Sequence, residues 1–85
     1  MILIERPLGN ADDPAWAQLL EGAVVDPLDI DQGQAQKNRF RLKTEAGVEV
    51  AVALERNTRL RDGDVLAWDE PNLTAIVARV SLKEV

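Results

Sequence analysis

The sequence contains no cysteine, no histidine and no tyrosine, and serine occurs only once, at Ser81. Without cysteine there is no disulfide frame and no thiolate nucleophile or thiolate metal site, which fits a reducing compartment and makes the cytoplasm the expected location. Without histidine the chain lacks the side chain that exchanges protons near neutral pH and the imidazole that binds transition metals. Ser81 therefore has no base to activate it, and a Ser-His-Asp arrangement is impossible. The five glycines, Gly9, Gly22, Gly33, Gly47 and Gly63, are scattered singly, so no glycine-rich loop is available to cradle a phosphate. Long apolar runs are missing as well. The opening "MILIERPLG" has four apolar residues before Glu5 and Arg6, far short of a signal-peptide core or a membrane span.

What is present bounds the answer from the other side. The 85 residues make one domain, spanning 1–85, able to bury about 60–65% of its unfolded surface around a single modest core. Hydrophobic residues make up 46% of the chain, enough for it to fold by itself. Fifteen acidic residues against ten basic ones give a net charge of −5, which opposes binding to nucleic acid or to an anionic membrane. Paired carboxylates working as a glycosidase does would be the remaining catalytic option, but so small a core leaves scarcely any room for a cleft. No catalytic residue is assigned.

Met1 to Glu5 reads as a short strand stopped by Pro7 and Gly9. In "NADDPAWAQLLEG", Asp13 is placed to cap a helix of about two turns and Pro14 suits its first position. Trp16, Leu19 and Leu20 share one face, on which Trp16 is expected as core packing, and Gly22 ends the helix. Val24, Val25, Leu28 and Ile30 form a strand that Pro27 confines to an edge or a bulge, and "QGQAQ" follows as a polar connection. "RLRDGDVLAWDEP" turns at Asp62-Gly63 into a strand from about Val65 to Trp68, and Glu70-Pro71-Asn72 makes another turn. The last strand carries Ile76, Val80 and Leu82 in phase, with Ala78 between them.

In "KNRFRLKTEAGVEVAVALE" the alternation is strict on both sides of Ala46-Gly47, the pattern of a hairpin. A three-residue loop, Glu45-Ala46-Gly47 with Gly47 left-handed, sets Thr44 opposite Val48, Leu42 opposite Val50, Phe40 opposite Val52 and Asn38 opposite Leu54. The other face then pairs Lys43 with Glu49, Arg41 with Ala51, Arg39 with Ala53 and Lys37 with Glu55. A two-residue loop would shift this by one and mix the faces. The sum is an all-β fold of about six strands and one short helix, arranged as a small sandwich or barrel.

Three groups could bind something. Asp26, Asp29 and Asp31 could hold a hard cation through oxygen, although an EF-hand loop counted from Asp29 fails at Gln34 and Phe40; the plainer reading is solvated carboxylates along an edge strand. The stripe Lys37, Arg39, Arg41 and Lys43 lies on one face of the hairpin and could dock an acidic surface. Glu49 and Glu55 opposite Lys43 and Lys37 offer the structural alternative, which leaves chiefly Arg39 and Arg41 free over two small alanines. Trp68, at a strand end beside Asp69 and Glu70, has the position of an aromatic residue at an interface rim. Arg39, Arg41, Lys43 and Trp68 are thus the candidate partner-binding residues.

The order "DDPAW", then "AQKNRFRLKTEAGVEVAVALERNTRLRDGDVL", resembles the N-terminal domain of the urease accessory protein UreE, a nickel metallochaperone family. "LRDGDVL" alone is weakly diagnostic, since similar turns recur in other small β folds. Joined to the Gln36-Lys37-x-Arg39-x-Arg41 strand, the Gly47 turn, Leu54 and Thr58, it is more specific, and the resemblance covers essentially the whole chain. It implies a six-stranded all-β module similar to the peptide-binding domain of Hsp40-type chaperones. It also implies a role in urease maturation, with the urease apoprotein complex and an accessory GTPase as partners. In the family nickel is bound by histidines of a second domain and of a tail. These 85 residues hold no histidine, so no metal ligand carries over and no cofactor is expected here. The resemblance allows either a portion of a nickel chaperone or a free-standing homologue. The alternative is a separate binding role unrelated to urease, for a hard cation or another protein.

Overall fold

A computed structural model describes residues 1–81. The elements in chain order are β1 (Ile2–Ile4), β2 (Gly9–Asn10), α1 (Pro14–Glu21), β3 (Val24–Asp31), α2 (Gln32–Ala35), β4 (Arg39–Lys43), β5 (Glu49–Ala53), β6 (Asp64–Asp69) and β7 (Thr74–Ser81). They form two sheets, one in the order β1-β5-β4 and one in the order β2-β6-β7-β3. The fold is the expected small all-β domain, and of its two expected forms it is the sandwich: neither sheet closes on itself.

The core lies between the sheets. Ile4, Val50 and Val52 enter it from one side; Leu28, Ile30, Leu66, Ile76 and Ala78 enter from the other. In β3 and β5 the buried residues alternate with more exposed ones, so period-2 patterning selects them; in β6 and β7 neighbouring residues are buried together. Burying each large apolar side chain of this kind contributes about 1.5–3 kcal/mol. The last strand follows the expected phase through Val80, whereas Leu82 lies outside the described residues.

The hairpin β4–β5 has the register that the face-matching argument requires: Phe40 opposite Val52, Leu42 opposite Val50, Arg41 opposite Ala51 and Lys43 opposite Glu49. Gly47 has φ of 92°, a left-handed value that is costly for residues with a Cβ. Bonds from the Thr44 amide to the Val48 carbonyl (2.9 Å) and from the Leu54 amide to the Asn38 carbonyl (2.7 Å) extend the ladder at both ends. The ladder does not reach Lys37 and Glu55. Lys37 instead donates its amide to the Gln34 carbonyl at the end of α2.

Pro27 sits on an edge strand as expected. Its carbonyl points away from β7 and accepts the Glu45 amide of the β4–β5 loop at 3.0 Å. The missing N–H therefore faces the open side, where no ladder bond is lost, and the bond to Glu45 ties the two sheets together.

The elbow at Asp62-Gly63-Asp64 joins three strands. Gly63, with φ of 86°, donates to Ala78 and accepts from Ala11, both at 2.8 Å. The Asp62 carboxylate accepts the Val80 amide at 2.9 Å. Buried Asp64 accepts the Arg61 amide at 2.8 Å and the Asn10 side-chain amide at 2.9 Å. A register shift between Val65 and Ala67 follows, and it lets Val65 and Leu66 both be buried although they are sequence neighbours.

Two elements exceed the sequence expectation. The two-residue β2 pairs with Val65 and Asp64 of β6. Within the "QGQAQ" connection, Gln32–Ala35 forms one helical turn. Asp31 caps it by accepting the Gln34 amide at 2.7 Å, while Gln34 reaches back to the Asp31 amide. That reciprocal pair is a capping box, which closes a turn too short to persist by propensity alone.

Helix α1 has the expected cap, with the Asp13 carboxylate accepting the Ala15 amide at 3.0 Å. None of its eight residues is buried, however, so Trp16 is not core. Trp16 is half-buried and meets Trp68 edge to face, with ring centroids 6.1 Å apart and planes inclined at 75°. The helix is pinned to the sandwich surface rather than buried in it.

Candidate functional site

Strand alternation places Arg39, Arg41 and Lys43 on the outer face of the three-stranded sheet. All three are exposed, with half-buried Phe40 and Leu42 turned to the opposite face. Across the sheet, Arg41 neighbours Ala51, and Ala51 neighbours Leu3 of β1, itself 61% exposed. The cations thus stand beside a floor of small or apolar groups, with a shallow depression between Arg39, Arg41, Ala51 and Ala53.

The expected neutralisation does not occur. Lys43 and Glu49 are register partners, yet among the described residues the one salt bridge is Arg79–Asp29. Arg39, Arg41 and Lys43 therefore carry their charges unpaired on one exposed face.

Main-chain geometry adds a second property. β4 is the outermost strand of its sheet. In an antiparallel pair, hydrogen-bonded and non-hydrogen-bonded positions alternate. The bonds of Thr44 and Asn38 to β5 show that even-numbered residues of this strand point inward along the ladder. Consequently Arg39, Arg41 and Lys43 direct both N–H and C=O outward at the open edge. The same residues supply unpaired charge and unpaired backbone groups.

Trp68 is not part of this face. It belongs to β6 in the other sheet, half-buried against Trp16, and it lines a cleft of about 400 Å³ between the two sheets. The structure thus brings Arg39, Arg41 and Lys43 together and sets Trp68 apart.

The three aspartates are not brought together either. Asp26 faces inward, in phase with Leu28 and Ile30, and accepts the Ala46 amide at 3.0 Å. Asp29 faces outward and forms a two-pronged bond with Arg79, one prong at 2.9 Å. The arginine's hydrogen bond holds the Asp29 carboxyl below the ordinary aspartate range, and the same bond raises the already high value of Arg79. Asp31 caps α2. Each carboxylate has its own structural partner, and among the described residues no three acidic or other ligating side chains converge on a metal-sized site. The donor set does not suit nickel, because the chain has neither histidine nor cysteine.

One group escapes the sequence argument. Buried Asp26 lines the cleft beside Trp68. Its signal was its parity, since a carboxylate two residues from Leu28 and four from Ile30 occupies a core-facing position of the strand. Among the described residues, no helix is long and apolar enough to cross a membrane.

Comparison with known proteins adds ancestry to this geometry. The model of the UreE urease accessory protein N-terminal domain matches residues 4–79. The urease accessory protein UreE of Yersinia aldovae is 48% identical over 86 residues, covering 100% of this chain and 37% of the relative. The UreE of Yersinia bercovieri is 45% identical, with 100% and 38% covered. That of Yersinia pestis (strain Pestoides F) is 46% identical, with 100% and 37% covered. The chain spans less than two-fifths of the length of these relatives.

Proposed function

The chain belongs to the family of UreE urease accessory protein N-terminal domains, and from that premise we propose that it is a non-catalytic protein-interaction module of urease maturation, acting in the cytoplasm. Its partners in this reading are the urease apoprotein complex and the accessory GTPase. Nickel is carried by parts of the metallochaperone that lie outside these residues, because the side chains here offer no suitable ligand set.

The observation that carries this reading is the open edge of β4. An extended partner segment laid along it would bond to the outward N–H and C=O groups of Arg39, Arg41 and Lys43. Acidic side chains of that segment would meet the three cations. The negative balance of the rest of the chain sharpens the contrast, since a local basic strip on an acidic protein selects for one docking orientation.

Binding of purified urease apoprotein to the parent and to an Arg39→Glu, Arg41→Glu variant tests the proposal. Reversing two charges beside the edge should weaken the complex at least about tenfold, with the steepest loss at low salt. Undiminished binding by a variant with unchanged melting temperature would remove this strand from the account.

A further inference from the structure

The cleft between the sheets has apolar walls and one buried acid. Ile2 and Val48 come from the three-stranded side, Trp68 and Ile76 from the other; buried Asp26 and exposed Asp69 also line it. Asp26 is 6% exposed. Its Oδ1 accepts the Ala46 amide, and no described residue donates to Oδ2. Among the described residues it also has no salt-bridge partner. Among the described residues no buried side-chain oxygen lacks a hydrogen-bond partner, so Oδ2, which has none, keeps contact with solvent and is open to an incoming donor while most of the residue is removed from water.

We propose that this cleft binds the side chain of a lysine presented by a partner protein. A lysine has an aliphatic stem to lie against Ile2, Val48 and Ile76, and a compact ammonium to reach the open oxygen of Asp26. Exposed Asp69 adds a second acidic group to the lining, although one of its oxygens is already held by the Asn72 side chain at 2.7 Å. An arginine fits less well. Its planar fork binds best to both oxygens of a carboxylate, and the Ala46 amide already occupies one of them. This site is distinct from the β4 edge: it selects positive charge where that edge selects negative, and it stands whether or not the β4 proposal holds.

The test uses the isotopically labelled 85-residue chain and three small probes that mimic single side chains: n-butylamine, n-butylguanidine and the neutral n-butanol. At neutral pH and constant ionic strength, n-butylamine should shift the amide signals of Ala46, Val48, Asp69 and Thr74 saturably. It should bind about tenfold more tightly than n-butanol, the ratio given by one charge-assisted hydrogen bond over a neutral one. Asp26→Asn keeps an acceptor for the Ala46 amide and should abolish that preference while leaving the weak n-butanol binding in place. Equal affinity for amine and alcohol in the unmodified chain would overturn the proposal without reliance on any variant. So would amine shifts spread over all exposed carboxylates. Tighter binding of the guanidine than of the amine would overturn the assignment to lysine.

Discussion

The indole of Trp16 fills the space in which a side chain at Gly9 would begin: a Cβ built on Gly9 falls on the ring at Nε1 and Cδ1. Helix α1 has no buried residue, and this contact and the edge-to-face meeting of Trp16 with Trp68 tie it to the sheet. Gly9→Ala should therefore displace the indole and destabilise the domain by about 1–3 kcal/mol, the usual cost of overpacking. Tryptophan emission should shift to the red as the ring gains water. An unchanged melting curve and spectrum would mean that the helix rests elsewhere on the surface.

Leu73 offers the opposite change. It adopts φ of 47°, a left-handed conformation that costs a residue with a Cβ about 1–2 kcal/mol, and its side chain is 51% exposed. The conformation is fixed from both sides, because its amide donates to Glu70 at 3.1 Å and its carbonyl accepts the Val24 amide at 2.7 Å. Leu73→Asn should raise stability by about 0.5–1 kcal/mol, since asparagine tolerates this region and little burial is lost. Denaturant unfolding measures it, and a loss of stability would show that the exposed leucine packs more than its accessibility indicates.

The buried carboxylate of Asp64 secures the elbow. It receives the Arg61 amide and the Asn10 side chain, so Asp64→Ala strands both donors and should cost roughly 2–4 kcal/mol. Asp64→Asn, which keeps one acceptor, should fall between the two. Hydrogen exchange should quicken first at the amides of Arg61 and Ala11, where the loop meets β2.

Alternation made the hairpin legible, down to the left-handed Gly47 and the opposition of Arg41 and Ala51, because side-chain period and turn chemistry both lie within a short stretch of chain. It could not name partners at a distance. Nothing local in Ile2–Ile4 says that it runs parallel to β5, or in Val24–Asp31 that it runs parallel to β7, since faces are encoded in the sequence and neighbours are not. The outward face of Arg39, Arg41 and Lys43 followed from parity, whereas the edge position of β4 had to be seen. The capping box of Asp31 and Gln34 was readable at its three-residue spacing but was obscured by Gly33 and the polar run around it. The same parity rule that aligned the cations separates Asp26 from Asp29 and Asp31, and it dissolves the acidic cluster that their closeness in sequence suggests.

Asp29 and Arg79 are register partners on the parallel β3–β7 pair, and their two-pronged bond lies on an exposed face. The hydrogen bond from Arg79 lowers the Asp29 carboxyl in the folded state, while in the unfolded chain it titrates near its ordinary value. The folded protein thus binds that proton less readily. The pair's stabilisation is complete above the unfolded value and is lost as the pH falls through the lowered folded one. Asp29→Asn should accordingly be less stable than the parent at neutral pH and converge with it in acid. The difference should be small and shrink with added salt, because solvent screens both groups. A carboxyl carbon titration of Asp29 by NMR decides the matter: a midpoint at or above the ordinary aspartate value would mean that the pair does not form in solution.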